Sequence, residues 1–372
     1  MTLENEGVNY KPDTVVLACS RTIVGTVNGK RIGNHMLTDD NVVCPIDGTP
    51  LKPVGDRLVS QSGHEYEISD GIPLLYADEA HAPLPSASRN GMEDAVTHKV
   101  QDFYEDAPFP NYNSYDTLAS FVRRANAGVF AQLLRKQIPL NASVLEVGCG
   151  TGQLSNFLVA TTMSRVYAAD VTLASLRLGQ KFADNNSING IRFIQMNLFV
   201  PAIRRASMDL VISNGVLHHT HDTRKAFMSI ARLVKPGGFL LVGLYNHIGR
   251  LRTDLRRVLV RVFGQGVLVL DPHLRKNLSP DKRRAWIRDQ YFHPQERKHS
   301  ISELIGWFEE ANFAFVSSIP KITGNFSADE DLFKPQDLGT PLDRTMAEIG
   351  MLFSHFGGEG GLFLCIGRKN AE

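Results

Sequence analysis

The chain has little cysteine, no long apolar run and almost no net charge. Its four cysteines lie far apart in 372 residues and form no C-x-x-C pair, which argues against a disulfide framework and a four-cysteine metal site. No apolar stretch approaches the length of a transmembrane helix. The N-terminus also lacks the basic and apolar regions of a secretory signal. We therefore expect a soluble cytoplasmic protein with reduced cysteines.

The sequence has two regions that differ in their pattern of apolar and turn residues. Residues 1–79 hold short β-branched runs broken by turn residues, which predicts a small β-rich accessory domain. Residues 80–91 are rich in Pro, Ser and Ala and are interpreted as a linker. In residues 92–372, short apolar runs alternate with helical patterns, which predicts an α/β fold built on an open doubly wound sheet. Its last two strands, expected to have no helix between them, should pair antiparallel.

Three glycines in alternate positions follow the first strand of this region, in LEVGCGTG. Gly148, Gly150 and Gly152 permit a sharp turn and let a ligand approach the backbone where a helix begins. Their spacing differs from the dinucleotide pattern G-x-G-x-x-G. Glu146, just before them, would repel a pyrophosphate but attract a ligand that carries an ammonium and a sulfonium group. Asp170 ends the second strand and can accept from ribose hydroxyls, so the residues favour S-adenosylmethionine over NAD. The alternative is that the glycines serve only strand–helix packing.

The segments LEVGCGTG, VYAAD, IQMN, SNGVLHH and LVKPGG follow one another in order and resemble class I S-adenosylmethionine-dependent methyltransferases, over roughly residues 115–369. The resemblance implies a Rossmann-like methyltransferase sheet with an antiparallel last strand. It also implies that Asn197, where the family more often has Asp, or the backbone of Leu198 reads the adenine amino group. The cofactor-binding residues that it implies are Glu146, Gly148, Gly150, Gly152, Asp170, Asn197, Leu198 and Asn214.

Candidate residues for the methyl acceptor cluster in four segments. His218 and His219 follow the fourth strand, and either could be a general base for a hydroxyl acceptor. The alternative is that their rings hydrogen-bond to the backbone at a helix entry. The segments PFPNY, GLYN and DQYFHPQERKHS resemble a bacterial subgroup of these methyltransferases. The substrate-binding residues predicted from them are Tyr112, Tyr245, Tyr291 and His293.

A basic segment lies between the fifth and sixth strands. Arg250 to Lys298 contains thirteen Lys and Arg against five Asp and Glu. We interpret residues 249–298 as a lid over the substrate pocket, with solvated arginines and with Leu251, Leu255, Leu259 and Phe263 on one helix face. The alternatives are contact with phosphate, in RNA or in a small molecule, and contact with an anionic membrane.

The segment from Cys44 to Tyr76 resembles the small zinc ribbon that accompanies some methyltransferases. Cys44 matches that pattern, but Asp47 stands at its second cysteine position and the later C-x-x-C is missing. These residues cannot form a sulfur-rich tetrahedral site. We therefore predict a degenerate, metal-free ribbon.

Together these features predict a methyltransferase that uses S-adenosylmethionine and acts on a small organic acceptor. An RNA methyltransferase is the first alternative, and a non-catalytic cofactor-binding or partner-activating protein is the second. The motif SNGV, in place of N-P-P-Y, disfavours the classes that methylate amides and exocyclic amines. The acceptor, the methylated atom and the oligomeric state stay open.

Overall fold

The computed structural model describes residues 24–27, 30–33, 39–81, 92–110, 112, 116–275, 279–353 and 360–371. Six short strands come first, namely β1 (Val24–Val27), β2 (Lys30–Gly33), β3 (Lys52–Val54), β4 (Arg57–Val59), β5 (Glu65–Ser69) and β6 (Ile72–Leu75). Three helices follow, namely α1 (Met92–Asp106), α2 (Leu118–Asn126) and α3 (Val129–Gln137).

The remainder alternates between strands and helices before it ends in a helical segment and two strands. The alternating elements are β7 (Ser143–Val147), α4 (Gln153–Thr161), β8 (Arg165–Asp170), α5 (Leu173–Asn185), β9 (Ile191–Met196), β10 (Met208–Asn214), α6 (Thr223–Ala231) and β11 (Val234–Tyr245). The later elements are α7 (Leu251–Phe263), α8 (Pro280–Phe292), α9 (Ile301–Glu310), β12 (Phe313–Ile319), α10 (Pro341–Gly350) and β13 (Leu362–Lys369). Among the described helices, none has the length and apolar character needed to cross a bilayer.

Eleven strands form one mixed sheet in the order β12-β13-β11-β10-β7-β8-β9-β6-β5-β4-β3. Strands β7 to β11 are parallel. Val144 and Leu145 are neighbours in β7, so they point to opposite faces of the sheet, and both are fully buried in separate apolar clusters. Helices cover both faces, which explains why these strands are apolar at nearly every position. The predicted doubly wound α/β fold is confirmed.

The end of the sheet is antiparallel. β13 pairs antiparallel with both β11 and β12, as predicted for the last strand. The expectation that no helix separates the last two strands is wrong, because α10 lies between them. Thr340 caps α10 in a capping box with Asp343, and Pro341 occupies its first turn, which are ordinary helix-start signals.

Four of the six N-terminal strands belong to the same sheet, whereas β1 and β2 pair in a separate two-stranded sheet. β6 pairs in parallel with β9 through Leu74 and Leu75, and β5, β4 and β3 continue outward as antiparallel strands. Residues 52–75 therefore extend the central sheet. The accessory domain of residues 1–79 and the linker of residues 80–91 stay predictions. Most of that linker, the runs before residue 24 and Cys19 lie outside the described residues.

Candidate functional site

A cavity of about 360 Å³ opens at the carboxyl ends of β7, β8, β9 and β10. Ligands bind at this edge in open α/β sheets, because the loops that follow parallel strands diverge there. One wall consists of those loops, and α1 and α8 contribute the other. Among the described residues, the lining includes the carboxylates Glu146, Asp170 and Asp289 but no lysine or arginine.

Most of the predicted cofactor-binding residues lie in this lining. The seven that line the cavity are Glu146, Gly148, Gly150, Asp170, Asn197, Leu198 and Asn214. Gly152 does not, and a Cβ there would overlap the ring of Phe193, so its role is to let α4 pack against the sheet. Gly150 has a left-handed backbone with φ of 54°, and its Cβ would overlap the backbone oxygen of Phe109. Both the turn and the close approach therefore require glycine at position 150.

Two buried carboxylates flank the glycine turn. Glu146 Oε2 accepts hydrogen bonds from the backbone N–H and the hydroxyl of Ser155. Burial nevertheless raises the pKa of Glu146 to about 7. Asp170 accepts from the N–H groups of Gly150 and Thr172 at 2.8 and 2.9 Å, and burial also raises its pKa. A positively charged ligand at this wall would favour the ionised form of both groups.

Asn197 and Asn214 differ in how their side chains are held. The Asn197 amide donates to the carbonyl of Ala77 at 3.0 Å and accepts from the N–H of Phe199 at 3.1 Å. Its side chain therefore holds the loop after β9, which leaves the backbone of Leu198 as the closer match to the predicted adenine contact. Asn214 Oδ1 is buried without a hydrogen-bond partner and lies against Gly243.

The two histidines form a chain of hydrogen bonds. His219 Nδ1 lies 2.7 Å from the carbonyl oxygen of Gln295, which can only accept, so we assign the proton to Nδ1. The lone pair on His219 Nε2 then accepts from His218 Nε2 at 3.1 Å, and His218 Nδ1 accepts from the N–H of Tyr245. Burial lowers the pKa of His219 to about 4 and holds the pKa of His218 well below its usual range. Of the two, only His219 lines the cavity, and the ring centre of His293 lies 3.7 Å from that of His219, with the rings tilted by 32°.

The predicted substrate-binding residues are not brought together. Tyr245 alone among the four lines the cavity. The ring of Tyr112 stacks on Phe182 at 4.2 Å in an apolar cluster, and the hydroxyl of Tyr291 donates to Asp271 at 2.9 Å. Neither of these two tyrosines lines the cavity, and nor does His293. They were predicted from segments that resemble a bacterial methyltransferase subgroup, and in this structure the side chains of Tyr112 and Tyr291 are engaged in contacts within the protein.

A polar group that sequence reasoning missed lines the same end of the cavity as Tyr245. Tyr104 of α1 donates to Asp289 Oδ1 at 2.7 Å, and the amide of Gln290 donates to Asp289 Oδ2 at 2.8 Å and to the hydroxyl of Tyr245 at 2.9 Å. Trp286 lines the cavity beside them. The signal was present in α8, since positions 286, 289 and 290 share one helix face. No such signal pointed to Tyr104, which is 185 residues away from Asp289.

A buried ion pair supports Tyr245 from behind. Arg250 is fully buried, and its guanidinium lies 3.7 Å from the centre of the Tyr245 ring. It contacts Glu296 at 2.8 Å and donates to Gln290 at 2.6 Å, while Arg257 binds the same Glu296 carboxylate. Burial would raise the pKa of Glu296, but the hydrogen bonds from the two arginines outweigh it and lower the pKa to about 2. The expectation that the arginines of residues 249–298 are solvated is therefore wrong for Arg250.

The lid segment contributes to the cavity through one helix. Trp286, Asp289 and Gln290 of α8 line the cavity, whereas no residue of α7 does. α7 packs outside α8, where Arg257 donates to the Gln290 carbonyl at 2.7 Å. Within this segment, α8 therefore forms the cavity wall and α7 lies outside it.

The ribbon segment is held by hydrogen bonds. Cys44 Sγ lies 3.1 Å from the hydroxyl of Tyr66. Asp47 accepts from the N–H and hydroxyl of Thr49 and from the hydroxyl of Ser60. The predicted absence of metal in this segment stays a prediction.

Another cluster has metal-ligand residue types. Ligand atoms of Glu79, Glu93 and His221 lie within 4.8 Å of one another. The ammonium group of Lys225 contacts the two carboxylates at 2.6 and 3.0 Å. Lysine therefore supplies the positive charge that a metal ion would bring to this cluster.

Comparison with known proteins gives a family match that begins at the glycine loop. Residues 145–242, from β7 into β11, match the model of a methyltransferase domain. An uncharacterized protein from Synechococcus sp. is 26% identical over 264 residues, which cover 60% of this chain and 60% of that protein. An uncharacterized methyltransferase from Mycobacterium tuberculosis is 38% identical over 120 residues, which cover 32% of this chain and 58% of that protein. The matched part of the chain thus covers about three fifths of the length of each of these two relatives.

A third relative and one solved structure extend the comparison. A ubiquinone biosynthesis O-methyltransferase from Xanthomonas oryzae is 28% identical over 152 residues, which cover 40% of this chain and 61% of that protein. The solved complex between the Haloferax volcanii Trm112 methyltransferase activator and a methyltransferase includes a similar chain. It matches with a TM-score of 0.42 and 15% identity, over 76% of this chain and 99% of that one.

Proposed function

We propose that the protein transfers a methyl group from S-adenosylmethionine to a small organic acceptor in the cytoplasm. The observation that carries the proposal is the cavity beside the glycine turn, where Glu146 and Asp170 are buried without a basic residue in the described lining. The sulfonium and ammonium groups of S-adenosylmethionine are favourable beside such carboxylates. The match of residues 145–242 to a methyltransferase domain supports the same function.

In this proposal the residues of the glycine-loop wall hold the cofactor. Asp170 retains lone pairs for the ribose hydroxyls beyond those used by two backbone N–H groups. Gly148 and Gly150 let the amino-acid end approach the backbone, and the loop at Leu198 faces the adenine. When bound, the cofactor supplies an electrophilic methyl group. Alignment of the nucleophile with that group contributes most of the acceleration.

The acceptor would lie against Tyr245, His219 and the Asp289–Gln290 pair. His218 and His219 stay candidates for the general base, but in this structure each imidazole lone pair already accepts a hydrogen bond. The carboxylate of Asp289 lines the cavity and has further lone pairs. We therefore add Asp289 as a candidate base for a hydroxyl acceptor.

The charge of the lining supports an acceptor without phosphate or carboxylate groups. At the acceptor end of the cavity a phosphate or carboxylate group would face the carboxylate of Asp289, and the described lining offers no lysine or arginine to offset that repulsion. An RNA acceptor would need exposed basic residues near the cavity mouth. In the basic segment, Arg250 and Arg257 are bound to Glu296, and none of its described basic residues lines the cavity, which favours the small acceptor over RNA.

Calorimetry with S-adenosylmethionine and with NAD tests the proposal. We expect binding of S-adenosylmethionine only, and Asp170→Asn should weaken it by about 1.5–3 kcal/mol. Asp209→Asn is the matched control. Asp209 lies at the start of β10, at the end of that strand away from the cavity, and pairs with Lys235. Binding of NAD without S-adenosylmethionine would overturn the proposal.

A second measurement distinguishes two causes of weaker binding by Asp170→Asn, namely loss of the contact with the ribose and displacement of the glycine loop. Wild-type protein should prefer 5′-methylthioadenosine to its 2′-deoxy analogue, and Asp170→Asn should lose that preference. Equal weakening of both ligands by the variant would mean that Asp170 acts only on the loop.

A further inference from the structure

The apolar face of α7 points away from the protein. Leu251, Leu255, Val258 and Val262 follow one another at spacings of four, three and four residues, so they lie on one line along the helix. Each of them is between 52% and 66% exposed. A surface helix of a globular protein normally turns such a line toward the core. α7 therefore has the opposite orientation from that of an ordinary amphipathic helix.

Ion pairs on its other face hold α7 in this orientation. Arg257 binds the buried carboxylate of Glu296 at 2.5 Å, and Asp254 is paired with Lys298. Turning the apolar line inward would leave Glu296 buried without one of its two arginines, which is strongly unfavourable. The exposed line is thus a stable feature of the fold.

The exposed apolar residues are concentrated in this part of the molecule. Of the sixteen large hydrophobic side chains that are exposed among the described residues, eight lie between Leu251 and Phe292. Four of these eight form the line on α7, and the other four are Phe263, Val269, Leu270 and Phe292. Scattered exposed apolar residues need no explanation, but a concentrated patch marks an interaction surface.

The charges beside this line select the partner. Arg252 and Arg261 flank it on its two sides by helical position, and both are exposed with no ion pair among the described residues. The segment from Arg250 to Lys298 carries thirteen basic against five acidic residues. An exposed apolar line flanked by arginines suits the headgroup region of an anionic bilayer. A symmetric contact with a second copy of the chain would instead bring like charges together.

We propose that this face, formed by Leu251, Leu255, Val258 and Val262 with Arg252 and Arg261, docks the protein on an anionic phospholipid surface. The docking does not depend on the proposed methyl transfer. α8 lies between this face and the cavity, so a docked protein would present the wall of its cavity one helix away from the lipid.

Vesicle flotation of the full chain tests the proposal. We expect binding to vesicles of phosphatidylcholine with about one third phosphatidylglycerol, weak binding to phosphatidylcholine alone, and loss of binding as salt is raised. The variant L251Q/L255Q/V258Q/V262Q should bind at least about tenfold more weakly, because its apolar contact with the bilayer is removed. R252E/R261E should lose the preference for anionic vesicles.

The matched control is L342Q/M346Q on α10, which removes two equally exposed apolar side chains elsewhere and should bind like wild type. Unchanged melting temperatures would show that every variant folds. Failure of the wild type to bind anionic vesicles would overturn the proposal, as would equal binding by the fourfold variant. A dimer in light scattering that the fourfold variant abolishes would assign the face to self-association and would also overturn it.

Discussion

The glycine loop and the loop after α8 treat buried carboxylates in opposite ways. In the glycine-loop wall of the cavity, Glu146 has only hydroxyl and N–H partners from Ser155, and its pKa is raised to about 7. In the loop after α8, outside the cavity lining, the side chain of Glu296 binds Arg250 and Arg257, and its pKa is lowered to about 2. The charge of Glu296 is therefore neutralised within the chain. Glu146 has no such cation among the described lining residues, so a bound cation would favour its ionised form.

The largest expected effect comes from breaking the ion-pair cluster around Glu296. Arg250→Met removes a fully buried cation and leaves Glu296 with one arginine, so the free energy of unfolding should fall by about 3–5 kcal/mol. Arg252→Met, two residues away on exposed surface, should change it by less than about 0.5 kcal/mol. Urea unfolding of both variants measures the difference. Equal stabilities would mean that the buried pair contributes little.

The second prediction concerns Glu146, whose carboxylate has no cationic partner among the described lining residues. The raised pKa of Glu146 means that its stabilising contribution is present below its ordinary pKa of 4.5 and is lost as the pH rises through about 7. Between those values the unliganded wild type should lose about 3 kcal/mol relative to Glu146→Gln, which cannot ionise. Glu296 stays ionised over this range and does not obscure the change. A pH-independent difference between the two proteins in urea titrations would contradict the prediction.

The third prediction tests how much stability depends on glycine at the close approach in the glycine turn. Gly150→Ala places a methyl group against the backbone of Phe109 and in a left-handed conformation, so we expect a loss of about 2–3 kcal/mol in unfolding free energy. Gly71→Ala has the same backbone strain with open space around the new Cβ and should lose about 1 kcal/mol. Thermal unfolding compares them, and identical losses would show that the close approach has no cost.

The smallest expected effect concerns the ribbon. Cys44 is engaged with Tyr66, and Asp47 is engaged with Thr49 and Ser60. A chelator should therefore leave the melting temperature unchanged, because no thiolate cluster is available to bind zinc. Elemental analysis giving one zinc per chain would refute the degenerate-ribbon prediction.

The parts that the sequence predicted well depend on local pattern. The parallel strands are continuous apolar runs, and the glycine turn needs positive φ at Gly148 and Gly150. The parts it missed depend on contacts between distant residues. Tyr104 meets Asp289 across 185 positions. The sequence pattern of α7 placed Leu259 and Phe263 on the apolar face, whereas the exposed line runs through Val258 and Val262. The contact between Arg257 and Glu296 decides which face turns inward.

The pairing of β6 with β9 also bears on self-association. Without β6, the backbone of β9 would form the open edge of the parallel sheet, and such an edge can pair with other chains. The N-terminal strands move that edge outward to β3, which has three exposed residues. Lys52 and Pro53 in β3 are residue types that discourage further strand addition. A chain that begins at β7 would therefore expose β9 as an open edge, and we expect it to aggregate more readily than the full chain.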